Sequence, residues 1–213
     1  MALTHLAEPT DPQAHSQGAA PEADGPEGNE RLTALTGAVL LLLFAAQGIT
    51  LLSMHTLLYW HFFIGLLLIG PVALKIGTTG HRVIRYYTGH LVYRRKGPPA
   101  PLLRALGPLV VATSVAVLAT GVALALVGRT VGPFPVLLLH KASFFCWAAV
   151  MTVHVLAHVW RLPRLIAADL RRGSARHGGR RVPGARARWA LLAAALGVGF
   201  VLALLGAPLA AQW

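Results

Sequence analysis

Carboxylates are nearly missing from most of this 213-residue chain. Six of its seven acids (Glu8, Asp11, Glu22, Asp24, Glu27 and Glu30) lie in the first 30 positions, and only Asp169 follows. Proton relays and cation pathways through membranes usually place acids inside the bilayer, so carboxylate-driven transport is not expected. Cysteine occurs once, at Cys146. That excludes an intrachain disulfide framework, Cys-ligated iron–sulfur clusters and C-x-x-C-H attachment of a c-type haem. Charge of either sign is scarce, 12% of residues against about 25% in soluble domains. With 55% hydrophobic residues, this composition argues against a soluble globule, and equally against a chain disordered throughout. No Ser–His–Asp or Cys–His nucleophile set and no phosphate-cradling Gly loop can be found.

Long apolar runs are present instead. Residues 1–30, rich in Ala, Pro, Gly and acids and free of Lys and Arg, read as a disordered acidic tail rather than a signal peptide. Five apolar segments follow: Ala34–Leu52, Thr56–Leu74, Ala105–Gly128, Pro133–Trp160 (broken only by Lys141) and Trp189–Leu209. About 20 helical residues cross the ~30 Å hydrocarbon layer, so each qualifies as a span. Their Leu- and Ala-rich composition lacks the alternation of barrel strands. The expected fold is all-α: a bundle of four transmembrane helices over 31–165, a basic linker at 166–188, and a fifth transmembrane helix over 189–213. Pro133 and Pro135 are placed to open the fourth helix, and Pro71 to kink the second.

The bases fall into two loops. Lys75, Arg82, Arg85, Arg94, Arg95, Lys96 and Arg104 surround the second connection; nine arginines from Arg161 to Arg188 fill the fourth. The positive-inside rule then puts both loops and the N-terminus in the cytoplasm and the C-terminus outside, in the inner membrane. Basic loops between apolar spans, with no zinc-finger or aromatic RNA-binding motif, do not indicate nucleic acid. The acidic tail shares a side with these loops, which predicts either weak, salt-dependent contact with them or a fully solvated tail. In the third span Gly107, Ser114, Gly121 and Gly128 recur every seven residues. Such a seam serves close helix packing, or clearance for a flat cofactor.

Ten histidines carry the functional signal. His5, His15 and His177 read as solvated, His55 lies in the short outer turn, and His81 and His90 lie in the first cytoplasmic loop. His61, His140, His154 and His158 fall within spans, where ionisable residues are costly and therefore functional candidates. His140 and His154 are 14 residues apart, about 40° from the same helix face and roughly 21 Å apart along the axis. His140, Phe144, Trp147, Met151, His154 and His158 make one stripe. His61 lies about five residues into its span and His140 about seven into its own, both counted from the outer end, so the two share a depth. Two imidazoles facing each other in an apolar bundle can ligate a b-type haem axially. Gly65, one turn from His61, leaves room for a porphyrin edge, and Arg129 and Lys141 are placed to meet propionates. Two other readings stay open. The histidines can hydrogen-bond between helices in a haem-free structural or assembly subunit. His154 and His158, at i and i+4, can bind a metal ion, although Val155 stands where a zinc protease needs Glu.

At His61-Phe62-Phe63-Ile64-Gly65 and at the His140/His154 pair, residues 31–165 resemble the membrane cytochrome b subunits of bacterial respiratory oxidoreductases. These are the gamma-type subunits of formate dehydrogenases, the cytochrome b subunits of nickel–iron hydrogenases, and b561-like proteins. The resemblance implies a four-helix bundle with two b haems, passing electrons between a quinone pool and a redox partner protein or catalytic subunit. It implies His61 and His140 as ligands of the outer haem. For the inner haem it implies His154 and a histidine near the inner end of the first helix. That end reads Leu32-Thr33-Ala34-Leu35-Thr36, without histidine. Three outcomes follow: one haem only, His81 or His90 folding back as a ligand, or His158 acting with His154. A single outer haem is the expectation, with His154 and His158 as a second site of uncertain occupancy.

Overall fold

The computed structural model describes residues 26–89, 101–159 and 185–213. The acidic tail up to residue 25, the arginine run from 161 to 181, His90 and Asp169 lie outside the described residues. Among the described residues the chain is almost wholly helical, with no strand beyond one isolated bridge, Val131 to Phe134. The helices are α1 (Pro26–Thr50), α2 (Met54–Leu67), α3 (Ile69–Tyr87), α4 (Pro101–Val127), α5 (Val136–Val159) and α6 (Ala185–Gly206). Short 3₁₀ turns occupy Leu51–Ser53 and Ala207–Gln212. Among the described residues four stretches are long and apolar enough to cross a membrane: Arg31–Tyr87, Ala105–Val127, Val136–Ala157 and Arg186–Gln212. Their outer faces expose large apolar side chains such as Leu42, Phe145 and Leu205. A water-soluble monomer does not present so much apolar surface, and a bilayer accommodates it. The chain is a multi-pass membrane protein.

The 57-residue stretch Arg31–Tyr87 would be about 85 Å long if straight. It is instead a hairpin. Lys75 Nζ donates to the Thr33 carbonyl at 2.6 Å and Asn29 Nδ2 to the Thr78 carbonyl at 3.2 Å, near one end. Near the other end Gln47 Nε2 donates to the His61 carbonyl at 3.2 Å. These pairings set α1 antiparallel to α2 and α3. The reversal comes at the 3₁₀ turn, where Ser53 leaves helical geometry (φ −149°, ψ 61°).

Several boundaries differ from the sequence expectation: α3 runs to Tyr87, which makes His81 helical, and α6 starts at Ala185, inside the expected linker. The first helix begins at Pro26, so residues 26–30 belong to it rather than to the tail. A proline in the first helical turn sacrifices no hydrogen bond, and Asn29 ties that turn to α3. The helix after Pro133 and Pro135 begins only at Val136, because Val131 and Phe134 close a tight turn with mutual backbone bonds of 3.0 Å. Gly132, at the corner, has φ +55°, a conformation that side chains disfavour. This turn makes α4 and α5 a second antiparallel hairpin.

Pro71 acts where its chemistry requires. It has no N–H for the Leu67 carbonyl, and the helix breaks at Leu68, between α2 and α3. The freed carbonyl is covered by α6. A methyl group on Gly199 would collide with the Leu67 carbonyl, and one on Gly70 with the Ala195 carbonyl. Glycine at both positions permits backbone contact, where Cα–H groups can approach carbonyl oxygens. The C-terminal helix is therefore an integral part of the packing around α2 and α3. Below this contact Leu40, Leu68 and Val72 form a buried cluster, joined by Phe44 and Leu118.

Candidate functional site

Between the two hairpins lies a cavity of about 700 Å³, within the 300–1,000 Å³ typical of small-molecule sites. Its walls come from α1, α2, α4 and α5, with Trp213 at one edge. His61, on α2, and His140, on α5, both line it, as do Gly65, Arg129 and Lys141. Five residues selected on sequence grounds thus surround one space.

The wall around these groups is shaped by small residues. Gly65 faces the Gln47 amide, and a methyl there would lie 3.5 Å from Nε2. Gly121, in the seam of α4, faces the His140 ring, and a methyl there would lie 3.1 Å from Cε1. The seam has mixed roles. Ser114 is buried and accepts a hydrogen bond from Trp147 Nε1 at 3.1 Å, which is helix packing. Gly121 gives clearance beside a cavity-lining imidazole, and Gly107 faces open space. Phe44 and Trp147, with ring centroids 4.8 Å apart, both line the cavity and close the side toward the buried cluster. Arg129 lies 5.3 Å from the centre of the Trp213 ring, a cation–π contact on the opposite side.

Both histidines are held by hydroxyl groups that the sequence did not single out. His61 Nδ1 is 2.8 Å from Thr50 Oγ1 and 3.0 Å from Gln47 Nε2. His140 Nδ1 is 3.1 Å from Thr120 Oγ1, which also meets Ser143 Oγ at 2.8 Å. Gln47 Oε1 is buried without a hydrogen-bond partner, in a residue that lines the cavity. A buried orphan acceptor of this kind calls for an explanation such as a ligand or an ordered water. A signal for these residues exists in the sequence: Gln47 and Thr50 are polar residues one turn apart in an apolar run, and Thr120 adjoins Gly121.

Of the remaining histidines, His55, at the start of α2, also lines this cavity. His154 is on the inward stripe of α5, half-buried like Met151, but does not line this cavity. His158 is in α5, and its side chain lies outside the described residues. His81 is exposed near the end of α3, where Arg85 Nε donates to its Nε2 at 3.4 Å. It does not line the cavity. Among the described residues no three His, Cys, Asp or Glu side chains come together as a metal-binding group.

A haem asks less of the protein than a bare metal ion does. Four of its ligands belong to the macrocycle and only the axial positions need side chains. The residues present fit such a group: the His61 and His140 imidazoles with His55 beside them, two cations and glycines that leave the walls recessed, around a largely apolar space. They equally provide hydrogen bonds that join α1 to α2 and α4 to α5. No protein-family model matches the chain, and no curated protein or solved structure matches it either.

Proposed function

We propose that this protein is a b-type cytochrome-like electron-transfer subunit of a bacterial inner membrane. In this reading the hairpin Arg31–Tyr87 supplies two passes, and the remaining three apolar stretches supply one each, giving five in all. The N-terminus is cytoplasmic and the C-terminus outside, as the basic loops require. His61 and His140 hold one b haem. Arg129 and Lys141 meet its propionates, and Gly65 and Gly121 clear its edges. The bound haem supplies reversible one-electron chemistry; the chain supplies ligation, burial and low dielectric. Substrate chemistry belongs to a partner protein, and a quinone completes the electron path.

The observation that carries this reading is the convergence of His61 and His140, from separate hairpins, on one apolar cavity with two cations. The test is a reduced-minus-oxidised spectrum of the purified, haem-supplied chain. Low-spin b-haem bands are expected, and they should vanish in His61→Ala and His140→Ala. A featureless spectrum from folded protein refutes the proposal. That result would favour a haem-free subunit, a reading that draws on the hydrogen bonds both rings already make.

A further inference from the structure

The hydrogen bonds around the two rings have a common direction. Thr50 has a single hydroxyl proton, and its oxygen lies 2.6 Å from the Gln47 carbonyl, which can only accept. That proton is therefore committed, and the Thr50 oxygen can only accept from His61 Nδ1, 2.8 Å away. In that arrangement Nδ1 carries the ring proton. The Gln47 amide nitrogen, which can only donate, lies near both ring nitrogens, 3.0 Å from Nδ1 and 3.3 Å from Nε2, so Thr50 and not Gln47 distinguishes them.

The second ring repeats this logic with different residues. Thr120 gives its proton to the Ala116 carbonyl at 2.8 Å. Ser143 directs its own proton into the same corner, between the Thr120 oxygen at 2.8 Å and the His140 carbonyl at 2.9 Å. The Thr120 oxygen is left as acceptor toward His140 Nδ1 at 3.1 Å. Each imidazole thus meets a threonine whose proton is already spent on its own helix backbone. An acceptor at Nδ1 of this kind fixes the tautomer, orients the ring and raises the basicity of the other nitrogen.

We propose that Thr50 and Thr120 are a matched pair of positioning residues. Each receives the Nδ1 proton of one histidine, so that Nε2 of both His61 and His140 is presented for axial ligation. This inference rests on the haem reading above. Gln47 crowds the His61 ring within it, because its amide nitrogen stands 3.3 Å from Nε2 as well as 3.0 Å from Nδ1.

The test uses the full-length chain in lipid nanodiscs, titrated with haem b. Outer-shell partners of metal-ligating histidines typically contribute 10–100-fold in affinity. Thr50→Val and Thr120→Val should each weaken haem binding by about that factor. Both should also raise the midpoint potential, because a less basic imidazole stabilises ferric iron less. Thr50→Ser and Thr120→Ser should restore both quantities. Thr113→Val is the control: Thr113 bonds only to the Leu109 and Val110 carbonyls of its own helix, and should change neither. If the valine variants misfold, Thr50→Ala and Thr120→Ala, which only delete atoms, carry the same test. Folded valine or alanine variants with wild-type affinity and potential overturn the pairing, even if His61→Ala and His140→Ala still abolish binding. A wild-type chain that takes up no haem overturns the haem reading and this one together.

Discussion

Replacing Gly199 by alanine should separate α6 from the bend in the second leg of the first hairpin. The perturbation is a single methyl group, and the reference is built into the same helix. Gly197 has nothing within 4 Å of where a Cβ would stand, whereas a Cβ on Gly199 would collide with the Leu67 carbonyl. Both substitutions gain the same intrinsic helix preference of alanine over glycine, about 1 kcal/mol in water. Their difference therefore isolates the collision. Overpacking typically costs about 1–3 kcal/mol, a factor of roughly 5–150 in an equilibrium constant. The upper part of that range is expected, because the neighbour is main chain and cannot rotate away. The assay is equilibrium unfolding in mixed SDS–detergent micelles, followed by tryptophan fluorescence. Gly197→Ala should match or exceed the wild type, and Gly199→Ala should fall below it. Equal stability of the two variants would show that α6 does not make this backbone contact.

Two further predictions concern the other hairpin and the orientation. Trp147→Phe removes the donor to buried Ser114 Oγ at 3.1 Å and should cost about 1–3 kcal/mol. The double variant with Ser114→Ala should recover part of that loss, and purely additive effects in the same unfolding assay would argue against the bond. In a Cys146→Ser background, Thr130→Cys in the α4–α5 turn should react with a membrane-impermeant thiol reagent on intact spheroplasts. Gly80→Cys should react only after permeabilisation, and the reverse pattern would invert the topology.

The sequence was most legible where a single physical quantity decides the outcome. Uncharged length separated the apolar runs, and 100° per residue placed His140, Phe144 and Trp147 on the face of α5 that borders the cavity. Counting inward from the outer ends of the spans put His61 and His140 at one depth, and both line one cavity. Tertiary pairings were less visible. Nothing local in the sequence shows that Gly199 will meet Leu67, because that contact depends on how α6 crosses a bend made by Pro71. The same holds for Thr50 and Thr120. A threonine in an apolar helix usually bonds back to its own carbonyls, as Thr36 does to Leu32 at 2.8 Å. Only the partner helix reveals that its second lone pair has a use. The helix start at Pro26 escaped detection because an acidic, Pro- and Gly-bearing segment carries no apolar periodicity, and its tie to α3 is a long-range bond from Asn29.

On the proposed haem reading, the packing beside the cavity sets the number of haems. A second site toward the His154 end of α5 would need an opening between α1, the bend of the first hairpin and α4. That space is filled: Leu40, Leu68 and Val72 are buried together there, with Phe44, Ile76 and Leu118 packed around them. Further inward, Lys75 crosses from α3 to the Thr33 carbonyl and lies close to Gly37, so α1 and α3 meet directly. The inner end of α1 offers Thr33 and Thr36 rather than an imidazole, and the Thr36 hydroxyl is bonded to its own helix. His154, about 21 Å along α5 from His140, is not part of the same cavity. Admitting a second macrocycle would mean dispersing that apolar cluster, and each large side chain taken from a core typically costs about 2–5 kcal/mol. One haem per chain is therefore expected by pyridine-haemochrome assay against quantitative amino-acid analysis, with His154→Ala leaving the stoichiometry unchanged. Two haems per chain, falling to one in His154→Ala, would show that the packed cluster opens and that the inner site is built after all.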